Sequence, residues 1–138
     1  MRVAFASDDE NDTTRAVVAA LAEAGHELVR PAEAESWPDL GRFVGRAVVE
    51  GRADYGVVMC WTGTGTAIAA NKVPGVRAAL AWDPWIARGA RLWNDANVLA
   101  MSLKRLAPDV AVEVLQAFLD TAEPDPDEAS NIAAIERP

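Results

Sequence analysis

The chain's one cysteine is followed by a run of threonines and glycines, in the segment Cys60–Thr66 (CWTGTGT). This segment separates an apolar run from a stretch with helical character. Gly63 and Gly65 permit positive φ angles and let backbone amides approach a ligand closely. The amides at the start of the following helix add the positive end of its dipole. The pattern therefore predicts a loop that binds an anion or a developing oxyanion, with a plain strand-to-helix turn as the alternative.

Cys60 is the candidate base or nucleophile of this loop. A thiol at a strand end can face a ligand, and close to a helix N-terminus its pKa falls, so that thiolate becomes available. The alternative is a small buried hydrophobic residue, which is the commonest fate of a lone cysteine. The position of Cys60 at the end of an apolar strand favours a role in chemistry.

Other ligand classes fit these residues poorly. The sequence GTGT lacks the Gly-Lys-Ser/Thr ending of a phosphate-binding P-loop, and no acidic residue follows at the right strand end to hold a cofactor ribose. One cysteine and one histidine, His26, cannot build a zinc site. We therefore expect neither a cofactor nor a metal.

The composition is typical of one acidic globular domain. With 138 residues the chain is long enough to bury a core. Its formal net charge of −8 argues against a nucleic-acid surface, and it means that an anionic substrate needs local cations or amides. No apolar run approaches the roughly 18 residues that span a bilayer. The opening MRVAFASDD turns acidic too early for a signal peptide, so we expect no membrane partner and a cytoplasmic location.

Strand and helix patterns alternate along the chain, and these elements must position the loop. Short apolar runs predict strands at 2–7, 27–29, 55–60, 76–81 and 97–102. Apolar residues at three- and four-residue spacing predict a helix from Thr13, capped by Asp12 or Thr13, and helices at 37–52, 65–73, 84–92 and 107–122.

This alternation is typical of a three-layer α/β/α sandwich with a mostly parallel, Rossmann-like sheet of five strands. In such sheets ligands bind beyond the carboxyl ends of the strands. We expect one domain over residues 1–122. An acidic, proline-interrupted tail follows over residues 123–138 and is a candidate to pack on a neighbouring subunit.

Two long motifs carry a family resemblance. CWTGTGTAIAANKVPGVRAAL begins at Cys60, and WNDANVLAMS begins at Trp93. They resemble the sugar-phosphate isomerase family of ribose-5-phosphate isomerase B and galactose-6-phosphate isomerase. That family typically reads C-G-T-G-x-G-x-x-I-A-A-N-K-x-x-G-I-R-A and later H-N-D-A-N-V-L. The order and spacing match over residues 1–122, including the opening strand with Ser7 and Asp8.

The resemblance implies an aldose–ketose isomerase that moves a proton between adjacent carbons through an enediolate. It implies that Cys60 transfers the proton and that Thr62 is its hydroxyl partner. It also implies a homodimer with an active site shared between subunits, acting on a small sugar or sugar phosphate. The positions matched to the amide-donating loop and to the residues that hold sugar hydroxyls are Gly63, Thr64, Gly65, Asp8 and Asn94.

Several substitutions separate this chain from the family pattern. Asp9 and Trp93 stand where the family has histidines, and the second of these is credited with opening the sugar ring. Trp61 replaces a glycine, and Trp37 replaces a tyrosine. The family's C-terminal G-G-R-H-x-x-R, which carries phosphate-binding arginines, has no counterpart. Lys104 keeps a cation where the family has an arginine.

The five tryptophans favour a pocket rebuilt from polar and phosphate-binding to aromatic, unless they pack in the core or at the dimer contact. Three functions stay open. The chain is an isomerase of this family, for which an open-chain or short substrate such as a tetrose would need no ring opening. Alternatively it is a binding or scaffold protein that lost catalysis, or an enzyme with a changed reaction on a non-phosphorylated ligand.

Overall fold

A computed structural model describes residues 1–33 and 36–137, and in these residues strands alternate with helices. The strands are β1 (Arg2–Ser7), β2 (Glu27–Val29), β3 (Tyr55–Cys60), β4 (Ala78–Leu80) and β5 (Val98–Ser102). The helices are α1 (Asp12–Glu23), α2 (Trp37–Val49), α3 (Thr64–Asn71), α4 (Pro84–Asn94), α5 (Pro108–Leu119) and α6 (Ala129–Ile135).

The five strands form one parallel sheet in the order β2-β1-β3-β5-β4. The register pairs Ser7 with Met59 and Cys60 with Ser102, so the three central strands end at the same level. The expected three-layer α/β sandwich with a five-stranded parallel sheet is confirmed.

Each face of the sheet is covered by its own helix layer. Helices α1, α4 and α5 pack on one face, over large side chains such as Phe5, Met59 and Met101. Helices α2 and α3 pack on the other face, over smaller side chains such as Ala4 and Ala100. The alternating direction of side chains along a strand produces this division.

The α2–α3 side of the sheet is packed especially closely. A Cβ added to Gly56 of β3 would lie 2.4 Å from Cγ1 of Val44. A Cβ added to Gly41 of α2 would lie 2.8 Å from Cβ of Ala69. Small residues therefore bring α2 and α3 close to each other and to the sheet, which fixes the position of the first turn of α3.

The predicted elements differ from the observed ones mainly at their ends. The predicted cap of α1 at Asp12 or Thr13 is wrong, because Asn11 accepts a hydrogen bond from the Thr14 amide at 3.0 Å. The expected strand 76–81 is shortened to β4, and the expected helix 107–122 ends at Leu119. At α1 three successive residues are all good caps, and local patterns locate the ends of strands and helices only to within a few residues.

The acidic tail contacts the chain to which it belongs. The Asp125 amide donates to the Leu92 carbonyl at 2.8 Å, and Arg77 forms an ion pair with Glu136 at 3.2 Å. A contact between the tail and a neighbouring subunit stays a prediction, and Pro138 lies outside the described residues. In residues 1–33 and 36–137, no helix combines the length and the apolar character needed to cross a membrane.

Candidate active site

The carboxyl ends of β1, β3 and β5 bring the candidate residues to one edge of the sheet. Beyond the strands, the Asp8 amide donates to the Met59 carbonyl at 3.2 Å, and the Leu103 amide donates to the Cys60 carbonyl at 3.0 Å. The segments that follow the three strands are therefore adjacent. This edge, where Asp8, Asp9, Cys60 and Lys104 follow one another in space, is the expected place for a ligand in a parallel sheet.

Gly63 fixes the course of the loop between β3 and α3. It caps α3 with φ of 78°, a conformation that favours glycine. A Cβ at this position would lie 2.6 Å from Cδ1 of Leu80 and 2.8 Å from the carbonyl carbon of Met101. The backbone at Gly63 thus lies directly against β4 and β5, and only glycine meets both requirements.

The thiol of Cys60 lies inside this loop. Cys60 is 5% exposed, and its Sγ accepts hydrogen bonds from the Gly63 amide at 3.1 Å and from the Thr66 hydroxyl at 3.3 Å. Burial alone would raise the pKa of the thiol, but the hydrogen bonds from Thr66 and from the loop amides together hold that pKa below its ordinary value. The loop therefore favours thiolate, as a base requires.

The hydroxyl next to the thiol is that of Thr66, which the sequence interpretation missed. The Thr62 hydroxyl instead lies 2.7 Å from the Thr64 hydroxyl, and both side chains are exposed. Thr66 is the third residue of α3, after a cap, Gly63, that has no side chain. A side chain at this helix position can turn back toward the residues before the helix, and that is the signal which could have identified Thr66.

The first turn of α3 offers a free amide beside the thiol. In the part of the chain that the structure describes, the Gly65 amide donates to no other group of the protein. Amides at a helix N-terminus carry the positive end of the helix dipole. The Trp37 ring covers Gly65, since a Cβ added there would lie 3.0 Å from that ring. The free amide and the helix dipole can stabilise negative charge on a ligand oxygen next to the thiol, on a site that the Trp37 ring covers.

Trp61 forms a cluster with two charged residues of neighbouring strand ends. Its Nε1 donates to Oδ2 of Asp9 at 3.2 Å, and the Lys104 ammonium lies 4.6 Å from the centre of its ring. The Glu10 amide, the Trp61 indole and the charge of Lys104 lower the pKa of Asp9. Asp9 is therefore an anion that orients Trp61, and it stands at the position where the family pattern has a histidine.

Asp8 has the opposite electrostatic environment. Partial burial, followed by the negative charge of Asp9, raises the pKa of the Asp8 carboxyl. An open groove of about 650 Å³ adjoins both carboxylates and continues along α1 to Arg30. The groove does not include Cys60, so it adjoins the thiol site without containing it.

Trp93 and Asn94 are not brought to this edge within one chain. Helix α4 starts beyond the carboxyl end of β4 and runs back over its 11 residues, about 16 Å, so Asn94 lies near the amino edge. The Trp93 ring packs over Gly89 and 5.4 Å from the Trp85 ring, on the side of the sheet opposite to α3.

All five tryptophans are between 40% and 68% exposed, so they do not fill the core. Trp37 and Trp61 border the loop of Cys60, whereas Trp85 and Trp93 form an aromatic face on α4. His26 lies directly before β2 with Nδ1 3.5 Å from the terminal nitrogen of Met1, at the opposite end of the strands from the thiol. Among the described residues, no three His, Cys, Asp or Glu side chains are arranged to hold a metal ion.

Comparison with known proteins gives one consistent family. The model of the family described as Ribose/Galactose Isomerase matches residues 3–135. The chain is 36% identical to ribose-5-phosphate isomerase B of Escherichia coli, over 75% of this chain and 72% of that protein. It is 38% identical to D-erythrulose-4-phosphate isomerase of Pectobacterium atrosepticum over 61% of this chain, and so spans only 55% of that relative.

The same likeness extends to solved structures. Ribose-5-phosphate isomerase B of Clostridium thermocellum superposes with a TM-score of 0.90 at 33% identity, covering 99% of this chain and 95% of that one. The corresponding protein of Thermotoga maritima superposes with a TM-score of 0.89 at 30% identity, covering 98% and 97%. The fold described above is therefore shared along almost its whole length.

Proposed function

The chain belongs to the Ribose/Galactose Isomerase family, and from this premise we propose that it interconverts an aldose and a ketose by proton transfer through an enediolate. One observation carries the proposal: the Cys60 thiol accepts two hydrogen bonds that favour thiolate, beside the free amide of Gly65. A base and an oxyanion site side by side are what the removal of a proton next to a carbonyl requires.

The proposed reaction needs no redox partner. Cys60 thiolate removes the proton from the carbon next to the carbonyl. The electron pair of that C–H bond forms the carbon–carbon double bond of the enediolate, and the π pair of the carbonyl moves to its oxygen. The Gly65 amide and the dipole of α3 stabilise the resulting negative charge. The Cys60 thiol then returns the proton to the neighbouring carbon, while the hydroxyl proton of the enediol passes to the other oxygen. Carbonyl and hydroxyl have thus exchanged places.

The missing histidines favour a substrate without a ring. In a four-carbon sugar phosphate the terminal oxygen is esterified, so no hydroxyl remains to close a five-membered ring. A histidine that opens such a ring is then unnecessary, so the presence of Trp93 at that position does not impair the reaction. One relative, from Pectobacterium atrosepticum, is described as a D-erythrulose-4-phosphate isomerase. We therefore propose a four-carbon or otherwise open-chain sugar phosphate as the substrate.

Lys104 is the cation at this edge that we propose for the phosphate. Lys104 lies over the Trp61 ring and near Asp9, which partly offsets its charge. The chain carries a formal net charge of −8, so phosphate binding depends on local groups rather than on the overall field. This arrangement supports a weakly bound phosphate. The alternative is a less charged ligand bound between Trp37 and Trp61.

We also propose that the site is completed by a second copy of the chain. Trp93 and Asn94 match family site positions but lie on α4, away from the Cys60 loop of their own chain. They reach a Cys60 loop only from another subunit. The exposed aromatic face formed by Trp85 and Trp93 supports a contact there, because large exposed apolar groups commonly mark protein interfaces.

Hydrogen exchange followed by NMR in heavy water tests the proposed chemistry. The protein is offered erythrose 4-phosphate, ribose 5-phosphate and unphosphorylated sugars. We expect deuterium at the carbon next to the carbonyl for the four-carbon phosphate, and its loss in Cys60→Ala. Thr13→Val, a change at a buried threonine outside the site, controls for altered folding.

The outcomes separate the three functions. Exchange only with unphosphorylated sugars would replace the sugar phosphate by a neutral ligand. No exchange with any sugar in folded protein would contradict the isomerase proposal and favour a binding protein. Exchange that persists in Cys60→Ala would show that another group is the base.

A further inference from the structure

The Thr66 hydroxyl has two acceptors and one hydrogen. Its Oγ1 lies 3.3 Å from Sγ of Cys60 and 3.3 Å from the carbonyl oxygen of Gly63. Thr66 is 0% exposed, so water cannot substitute for either contact. A threonine hydroxyl donates one hydrogen bond at a time and can accept others. Its hydrogen therefore points either to the sulfur or to the carbonyl.

The protonation state of the sulfur decides between these two arrangements. A thiolate only accepts, so the Thr66 hydrogen turns to Sγ and stabilises its charge. A thiol can donate its own hydrogen to Oγ1, and the Thr66 hydrogen then turns to the Gly63 carbonyl. Both arrangements leave no buried donor without an acceptor, and neither requires a heavy atom to move.

We propose that Thr66 is the positioning residue for Cys60, rotating its hydroxyl hydrogen between Sγ and the Gly63 carbonyl as the thiol gives up and regains a proton. This inference deepens the proposed function and rests on it. A base that must take a proton from one carbon and return it to the next benefits when both of its protonation states are hydrogen-bonded. Thr66 touches the base rather than the substrate.

The surroundings hold this arrangement in place. A β-branched side chain in a helix has few rotamers, which fixes Oγ1 near the sulfur. The Thr66 carbonyl lies against α2, since a Cβ added to Gly41 would be 2.8 Å from that oxygen. The whole first turn of α3 is thus immobilised. A hydroxyl held by its backbone in this way can respond to the thiol only by turning its hydrogen.

No charged group takes the place of Thr66 in stabilising the thiolate of Cys60 within the described residues. Among the described residues, no charged side chain forms a hydrogen bond with Sγ, whose side-chain partner is Thr66. The charged residues that follow these strand ends or lie at the start of α2 and α4 are Asp8, Asp9, Asp39, Asp83, Lys104 and Arg105. Thr66 is therefore the side chain whose removal should change the thiol most directly.

The rate of alkylation by iodoacetamide as a function of pH tests the inference without any substrate. Cys60 is the one cysteine of the chain, so the rate reports this thiol alone. Thr66→Val keeps the shape of the side chain and removes the hydroxyl. On the rising part of the pH profile we expect it to lower the alkylation rate about tenfold, because a charge-assisted hydrogen bond is lost. Thr66→Ser should retain most of the wild-type rate.

Two results would overturn the inference. One is a Thr66→Val profile that coincides with wild type, in protein whose circular dichroism is unchanged. The other is an equal shift in Thr66→Ser and Thr66→Val, which would assign the effect to packing. Thr13→Val, the same change at another buried threonine, should leave the profile unchanged. Since alkylation needs no sugar, these results hold whether or not isomerase activity is found.

Discussion

At Gly63, both the positive φ and the close packing require glycine. The cost of violating each requirement can be measured separately. Gly51 has a similar φ of 74°, but a Cβ there would meet nothing within 4 Å. We expect Gly51→Ala to lower the free energy of unfolding by about 1 kcal/mol, from the backbone alone. Gly63→Ala should lower it by about 3 kcal/mol, because overlap with Leu80 and Met101 is added. Urea denaturation measures both; equal losses would contradict the packing argument.

The pH dependence of the reaction follows from the direction of the Cys60 pKa. Burial raises that pKa. The hydrogen bonds from Thr66 and the loop amides lower it by more, so the net effect is a lowered pKa. Thiolate is the active form, so kcat/KM should rise with pH and level off at a pH below that expected for an ordinary cysteine. A rise centred at or above the ordinary cysteine pKa would contradict this assignment.

The sequence was informative about residues whose role depends on local chain geometry. Cys60, Gly63 and Gly65 were placed correctly at one junction between a strand and a helix, although Cys60 ends β3 and Gly65 lies in the first turn of α3. Thr66 was missed, since its contact with Sγ depends on how the first turn of α3 is oriented. Whether Thr62 acts in catalysis stays a prediction, and its hydroxyl contacts Thr64 in this structure.

Among the elements, α1 shows most clearly how a helix start is tied to the site. The Asn11 side chain accepts from the Thr14 amide and donates to the Leu103 carbonyl at 2.6 Å, directly after β5. We expect Asn11→Ala to lower the free energy of unfolding by about 2 kcal/mol, since a cap and a bridging bond are lost together.

Asp12→Ala is the matched control for this cap. Asp12 is exposed and forms an ion pair with Arg15 at 2.7 Å, so its replacement should cost no more than about 0.5 kcal/mol. Thermal or urea unfolding of the two variants distinguishes them. If Asp12→Ala lowered the free energy of unfolding more than Asn11→Ala, Asp12 rather than Asn11 would be the cap, as the sequence indicated.

The elements themselves were largely predictable, and their ends were not. Continuous apolar runs predicted β1, β3 and β5 because these strands are covered on both faces. The cap of α1 was misplaced because Asn11, Asp12 and Thr13 are all good capping residues. The contact between Asn11 and Leu103 joins residues 92 positions apart, and no local pattern reports such a contact.

For the whole molecule, the aromatic face of α4 is the feature that bears on assembly. Trp85 and Trp93 are 68% and 40% exposed, with ring centres 5.4 Å apart. If this face joins two copies, the double change Trp85→Ser and Trp93→Ser should convert a dimer to a monomer in sedimentation velocity. Val49→Ser, at an exposed apolar residue of α2, should leave the dimer intact. A wild-type monomer, or a dimer that survives the double change, would contradict the proposed shared site.

Fold class was predictable at this scale from local patterns, whereas the homodimer was expected only from the family resemblance and stays a prediction. Alternation of strands and helices determines the three-layer architecture, because parallel strands require crossover connections. The distance of Asn94 from the Cys60 edge emerges only when α4 is placed against the sheet. The family resemblance assigned Asn94 and Cys60 to one site. It did not show that the two residues lie at opposite edges of the sheet within one chain.

The unequal sizes of the residues on the two faces of the sheet predict unequal freedom to change over evolution. On the α2–α3 face, positions such as Gly41 and Gly56 have no space for even one added carbon. On the other face, Phe5, Met59 and Met101 contact large neighbours that can exchange volume with one another. In a library of random variants, substitutions should therefore survive mainly on the α1–α4–α5 side. The side that carries the thiol loop should remain nearly invariant.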